Sequence, residues 1–196
     1  MVLDRLVARL AGHTPARATE FDRPTAAVAL ILASAPDQML LIRRAERAGD
    51  PWSGHLALPG GRRQSGDAGL LDTAIRETAE ETGIVLERAC RVAELDDLVP
   101  RTPTLPPIVV RPFVFLLAVA AKPGLSSEVV QSMWVPFDRL TRSGMVTRTV
   151  EVRGVARDVE GYQLAAGFLW GMTERIVTPV LRLWKEESGQ DDRLEI

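Results

Sequence analysis

The chain is poor in the residues that usually announce a function. It has one cysteine, Cys90, so no internal disulfide can form and a reducing compartment is the expected setting. Its two histidines, His13 and His55, lie far apart in sequence and make no zinc-binding pattern. The formal net charge of −2 lacks the basic excess of a general nucleic-acid binder. No apolar run is long enough for a membrane-spanning helix. The N-terminal "MVLDRLVARLAG" carries charges inside its apolar pattern, which excludes a secretory signal. These absences together predict a cytoplasmic protein without nucleic-acid or membrane partners.

What is present is an ordinary globular composition, with 46% hydrophobic and 26% charged residues over 196 positions. Val2, Leu3, Leu6, Val7 and Leu10 recur at helical spacing, so an amphipathic helix is expected over 2–11. We expect this helical segment to occupy 1–20, the main domain 21–186 and a polar tail 187–196. "TAAVALILA" (25–33) and "QMLLIRR" (38–44) flank "SAPD" and read as strand, turn and strand. Residues 45–57 read as loop. Residues 91–99 read as a strand with its exit, and the proline-rich 100–107 as a loop. A buried strand is expected over 108–120, kinked or entered near Pro112, and another ends at Pro136. "TVEVRGVA" alternates as one strand. "GFLWGMTERIVTPVLRLW" (167–184) has a helical period that Pro179 should kink or break. Strands and helices in this order predict an α/β (α+β) sandwich with a mixed central sheet between helices.

The chemistry concentrates in "LPGGRRQSGDAGLLDTAIRETAEETGI", residues 58–84. Asp67 is placed to cap a helix and Gly83 to end it, bracketing about 15 residues. Leu71, Ile75, Thr78, Ala79 and Thr82 form the expected buried face. Glu77, Glu80 and Glu81 fall on another arc of about 100°. Carboxylates about 5 Å apart repel by roughly 0.8 kcal/mol in water and roughly 3 kcal/mol at an effective dielectric near 20. Arg76 can pair with Glu80, but one cation does not neutralise three anions. One reading is a solvated acidic face. The other is that divalent cations supply the missing charge, and all-oxygen ligands point to Mg²⁺ or Mn²⁺. Arg43, Arg44, Arg47, Arg62 and Arg63 cluster around the same loop, and guanidinium forks match phosphate oxygens. Trp52 is placed either to stack on a base or to pack over a neighbour.

This stretch resembles the Nudix box, which runs from a glycine through an early acid to R-E-U-x-E-E-x-G-U, with U aliphatic. Gly61 fits the opening glycine. Arg76, Glu77, Glu80, Glu81, Gly83 and Ile84 fit the closing half. The early acid is Asp67 rather than glutamate, one extra residue precedes Arg76, and Thr78 replaces U. Those departures are similar to the coenzyme A pyrophosphatase-like branch of Nudix hydrolases. So is the upstream "LLIRRAERAGDPWSGHLALPGG", in which Leu40, Leu41, Arg44, Ala45, Gly54, Pro59, Gly60 and Gly61 agree with that branch. There Ile42 replaces threonine, Leu58 replaces phenylalanine, and Arg47 is displaced from the register of a second arginine.

The resemblance implies a Nudix-type α/β/α sandwich and metal-dependent hydrolysis of a diphosphate linkage in a nucleoside diphosphate derivative. It assigns the metal to Glu77, Glu80, Glu81 and the Gly60 carbonyl, and makes Arg76 an orienting residue. Glu80 and Glu128 are the candidate general bases. Arg44, Arg47, Arg62, Arg63 and Gly61 are the expected substrate-binding residues. Coenzyme A or an acyl derivative is the implied substrate. ADP-ribose, a dinucleotide polyphosphate, or nucleotide sensing without turnover are the alternatives. Exposed apolar residues on the terminal helices allow a homodimer, or packing of those helices on the sheet.

Overall fold

Thr25–Ala33 (β1) and Gln38–Arg44 (β2) form the centre of the fold in a computed structural model that describes residues 1–18, 25–49, 52–100, 107–152 and 154–190. The expected loop 100–107, the junction near residue 20 and the end of the polar tail lie largely outside the described residues. β1 pairs antiparallel with β2 at Leu32–Met39 and with Gly60–Arg62 (β4) along Ala26–Val28. On its other side it runs parallel to Val109–Leu117 (β6), whose outer neighbour is Arg91–Glu94 (β5). β2 also carries Leu56–Ala57 (β3) and Val129–Pro136 (β7). The result is a mixed seven-stranded sheet. A separate antiparallel sheet is made by Val146–Val152 (β8), Val155–Leu164 (β9) and Gly167–Trp170 (β10).

Strand pleating assigns the two faces. Ala27, Ala29 and Ile31 of β1 join Leu40, Phe113 and Phe115 in one core, under Leu70–Thr82 (α2). Leu30, Leu32, Met39 and Leu41 join the other, under Val2–Ala11 (α1) and Gly171–Ser188 (α4). Both faces are buried, which explains why the strand sequences read as unbroken apolar runs. The expected sandwich of helices around a mixed sheet is therefore the observed architecture. A ten-residue helix such as α1 is marginal on its own. Leu3, Leu6 and Leu10 hold it in the core, at roughly 1.5–3 kcal/mol per buried leucine. Arg5 and Arg9 tie it to Glu187 and Glu186 of α4.

Several expected elements differ in detail. β6 passes straight through Pro112 while β5 pairs alongside it. "TVEVRGVA" is not one strand but the tip of the β8–β9 hairpin, with Gly154 at φ +76. The apolar positions shift from even, Val150 and Val152, to odd, Val155, and that break in phase marks the turn. α4 begins at Gly171, because residues 167–170 are already committed to β10. Pro179 does not break it: the helix runs on to Ser188 with Pro179 on the exposed side. Phe137–Ser143 (α3) follows β7 directly at Pro136.

Candidate active site

The glycine-rich loop and α2 meet through very close contacts. A Cβ on Gly61 would lie 2.4 Å from the Glu77 carboxyl carbon. A Cβ on Gly60, at φ +152, would lie 2.3 Å from the Ala27 carbonyl oxygen. Only glycine lets β4 press against β1 on one side and a carboxylate on the other. The group that approaches Gly61 here is thus Glu77 itself. Small Ala27 and Ala29 beneath the helix let α2 sit close to the sheet.

Asp67 does not cap α2. The N-cap is Gly69, and Asp67 is tucked under the loop. It accepts from the Gln64 N–H (2.9 Å), the Thr73 hydroxyl (2.9 Å), and Arg76 Nε and Nη2 (2.8 and 2.9 Å). The Arg76 fork holds its carboxyl far below the usual carboxylate range, with the Gln64 N–H and Thr73 hydroxyl adding to the effect. The loop between Asp67 and Gly69 displaces the acid from the helix axis and swings it toward Arg76 instead. Arg76 engages all five of its N–H groups. Besides Asp67 it reaches Glu77 Oε1 (2.8 Å), Glu80 Oε2 (2.9 Å) and the Arg62 carbonyl (3.3 Å). It is a brace between the loop and the glutamates rather than a simple i,i+4 partner.

The buried face of α2 is also rotated from expectation. Thr73, Ala74, Thr78, Glu81 and Thr82 are buried, while Leu71, Ile75 and Ala79 are only half-buried. Thr78 and Thr82 remain satisfied by donating to the carbonyls of Ala74 and Thr78. Glu81, read as part of a polar arc, is 2% exposed. It accepts one hydrogen bond, from the Gly60 N–H at 2.9 Å, and Arg44 Nη1 stands 4.0 Å away. Burial pushes its carboxyl up to about 7, against the pull of the Gly60 N–H and the Arg44 charge. Burial raises Glu77 as well, against Arg76. The charges of Glu77 and Glu128 reinforce the effect on Glu81, and those of Glu80 and Glu128 the effect on Glu77.

Other expected residues divide into two groups. Arg44 ends β2, past a register irregularity at Arg43–Arg44, and its Nη1 lies 4.0 Å from Glu81. Glu128 enters just before β7, where its carbonyl accepts from the Ala45 N–H, and its carboxylate pairs with Arg47 at 3.2 Å. Glu80 is the most exposed of the box glutamates, at 57% of its side chain. By contrast, Arg63 donates to the carbonyls of Asp67 and Ala68, and the Arg62 side chain is exposed. His13 pairs with Asp96, and His55 packs on Trp170 with ring centroids 4.9 Å apart. The residue that motif reasoning undervalued is Asp67; the signal was an acid nine positions before an arginine.

The donor chemistry suits a hard divalent cation. Oxygen is the only ligand type; Glu77 shares Arg76 with two other acids, and Glu81 has, of the described cations, only Arg44 at 4.0 Å. Among the described residues no three such groups converge on one point, because Arg76 draws Glu77 and Glu80 toward itself.

A model of the NUDIX domain matches residues 23–153. The chain belongs to the Nudix hydrolase family. A Nudix relative, an uncharacterized Nudix hydrolase NudL of Photorhabdus laumondii, is 31% identical over 78% of this chain and 80% of its own length. An uncharacterized Schizosaccharomyces pombe protein is 38% identical over 66% of this chain. The match spans only 40% of that relative's length. Among solved structures, a MutT/nudix family protein from Enterococcus faecalis superposes with a TM-score of 0.61 at 15% identity, covering 95% of this chain and 74% of the other. A bifunctional NMN adenylyltransferase/ADP ribose pyrophosphatase from Francisella tularensis gives 0.58 at 16% identity, over 92% and 46%. At these identities the likeness is one of Nudix fold. No helix of the described residues is long and apolar enough to cross a membrane.

Proposed function

We propose that this Nudix protein hydrolyses the diphosphate linkage of a nucleoside diphosphate derivative with the help of Mg²⁺ or Mn²⁺. The observation that carries the reading is that, among the described residues, Glu81 is a buried acid with one hydrogen bond and a single long ion pair, to Arg44 at 4.0 Å, next to Glu77, which shares its only close cation, Arg76, with Asp67 and Glu80. Glu77, Glu80, Glu81 and the Gly60 carbonyl would hold the cation. When bound, it offsets diphosphate charge and makes water more acidic. Arg76 keeps Glu77 and Glu80 in register with the loop. Arg44 and Arg47 stand at the rim, where their guanidinium groups suit phosphate oxygens, and Arg62 and Arg63 flank the loop. Of the two candidate bases, each paired to an arginine, we favour Glu128, because its charge is felt at both Glu77 and Glu81.

For substrate we favour coenzyme A or an acyl derivative, on the residues 40–61 that resemble that branch. ADP-ribose is the second reading, favoured by the fold neighbour whose name includes an ADP ribose pyrophosphatase. The deciding experiment is a hydrolysis screen over coenzyme A, ADP-ribose, NADH and diadenosine polyphosphates, with Mg²⁺, Mn²⁺ or chelator. Metal-dependent release of two phosphorylated fragments, lost in Glu81→Gln, supports the proposal. Tight nucleotide binding with no turnover of any compound turns it into a sensor.

A further inference from the structure

The β8–β9 hairpin stands apart from the site and carries an unusual surface. Its register places Arg148 opposite Val159, Val150 opposite Arg157, and Val152 opposite Val155. One face therefore collects Val146, Val150, Val152, Val155 and Val159, and Arg148 lies over the Phe168 ring of β10 on that face, 5.5 Å from its centroid. The other face carries Thr147, Thr149, Glu151, Asp158 and Glu160. The valine face also carries Arg148 and Arg157, and Val146 and Val155 on it are 38% and 50% exposed.

β8 is also the free edge of its sheet. Among the described residues no backbone hydrogen bond outside the β8–β9 ladder reaches Val146–Val152. The strand has neither proline nor lysine, and its register with β9 is unbroken along its length. Its only edge-blunting features are the charges of Arg148 and Glu151.

We propose that β8 is the seam of a symmetric homodimer, in which two copies pair antiparallel with the two-fold axis at Thr149. That centre is the midpoint of Val146–Val152, so the whole strand overlaps. Val146 then faces Val152 of the second copy, Thr147 faces Glu151, Arg148 faces Val150, and Thr149 faces itself. No like charges sit directly opposite one another; the two Arg148 lie diagonally across the axis on the same face. An axis normal to the sheet keeps both valine faces on one side, joining them into one continuous six-stranded surface. A second copy fits because the strand complements its own sequence in this register and satisfies its outward backbone groups.

Two lysine substitutions on the same face separate this seam from general effects of added charge. Within one hairpin, Thr149→Lys lies opposite Asp158 and Thr147→Lys lies opposite Glu160, so each is tolerated by the fold. Across the seam they differ. Thr149→Lys brings two lysines together on the axis, whereas Thr147→Lys sets a lysine against Glu151 in both halves. Sedimentation equilibrium on the full chain is expected to show a wild-type dimer. Its dissociation constant should rise about tenfold or more in Thr149→Lys and fall severalfold in Thr147→Lys. Matching thermal melts would confirm that both variants fold. A protein monomeric to millimolar concentration in the wild type and in Thr147→Lys overturns the proposal. So does a dimer whose constant is the same in all three proteins.

Discussion

Asp67 and Glu81 are both acids withdrawn from solvent, one just before α2 and one in its last turn, yet their surroundings are opposite. Asp67 is met by a guanidinium fork, a hydroxyl and a backbone N–H, and its carboxyl is held deep in the ionised range. Glu81 is met by one N–H, with a guanidinium 4.0 Å off, and its carboxyl is pushed up to about 7. Burial by itself therefore says little about an acid's role. What separates the two is whether the chain supplies the counter-charge. Around Asp67 it does, and the acid is a structural brace. Around Glu81 it supplies, among the described residues, only the Arg44 guanidinium at 4.0 Å, and the remaining deficit is what a bound cation would fill.

Substitutions can break the contrast from either side. Glu81→Gln removes the unfilled charge and keeps the shape. We expect kcat/KM to drop by about a thousandfold, the scale of several kcal/mol of lost transition-state stabilisation, with an unchanged circular dichroism spectrum. Asp67→Asn attacks the satisfied partner and should act on stability first. Losing the charge opposite Arg76 is expected to cost about 2–3 kcal/mol, read as a fall in Tm of roughly 5–10 °C.

Varying pH sharpens the contrast. Between the ordinary glutamate value of 4.5 and about 7, folded Glu81 keeps a proton that the unfolded chain has released. Its contribution to stability therefore falls as pH rises across that window, in metal-free protein. Asp67 works the other way, losing its contribution as pH falls through and below 3.8. Thermal melts against pH should show both slopes. Mg²⁺ or Glu81→Gln should flatten the neutral-side slope and leave the acid-side one. A smaller effect is expected from Gly61→Ala, whose Cβ would push Glu77 aside. Activity should fall by about tenfold, with under about 1 kcal/mol lost, because Glu77 is a flexible side chain.

The parts of this site that follow local rules were legible in the sequence. Gly83 ends α2 in the left-handed conformation, and the Gly60–Gly61 pair makes the close approach that its composition suggests. The central strands were plain because both faces are buried. Glu81 was not legible as a buried residue, because periodicity sorts residues by polarity and assigns a charge to the solvent side. Asp67 was read as a cap because capping is a local rule. Its actual partner, Arg76, is reached only through the turn that begins at Gln64. The β8–β9 turn at Gly154 does leave a mark, the change of apolar phase from Val152 to Val155, but a single-strand reading of so short a stretch passes over it.

The most direct test is calorimetric titration of Mn²⁺ into metal-free protein near neutral pH, comparing wild type with Glu81→Gln. Binding should release protons in the wild type, since Glu81 must ionise to become a ligand, and affinity should weaken at least about tenfold in the variant, as for a lost charged ligand. Equal Mn²⁺ affinities and equal proton release in the two proteins would contradict the account, and would leave Glu81 as no more than a buried acid hydrogen-bonded to Gly60.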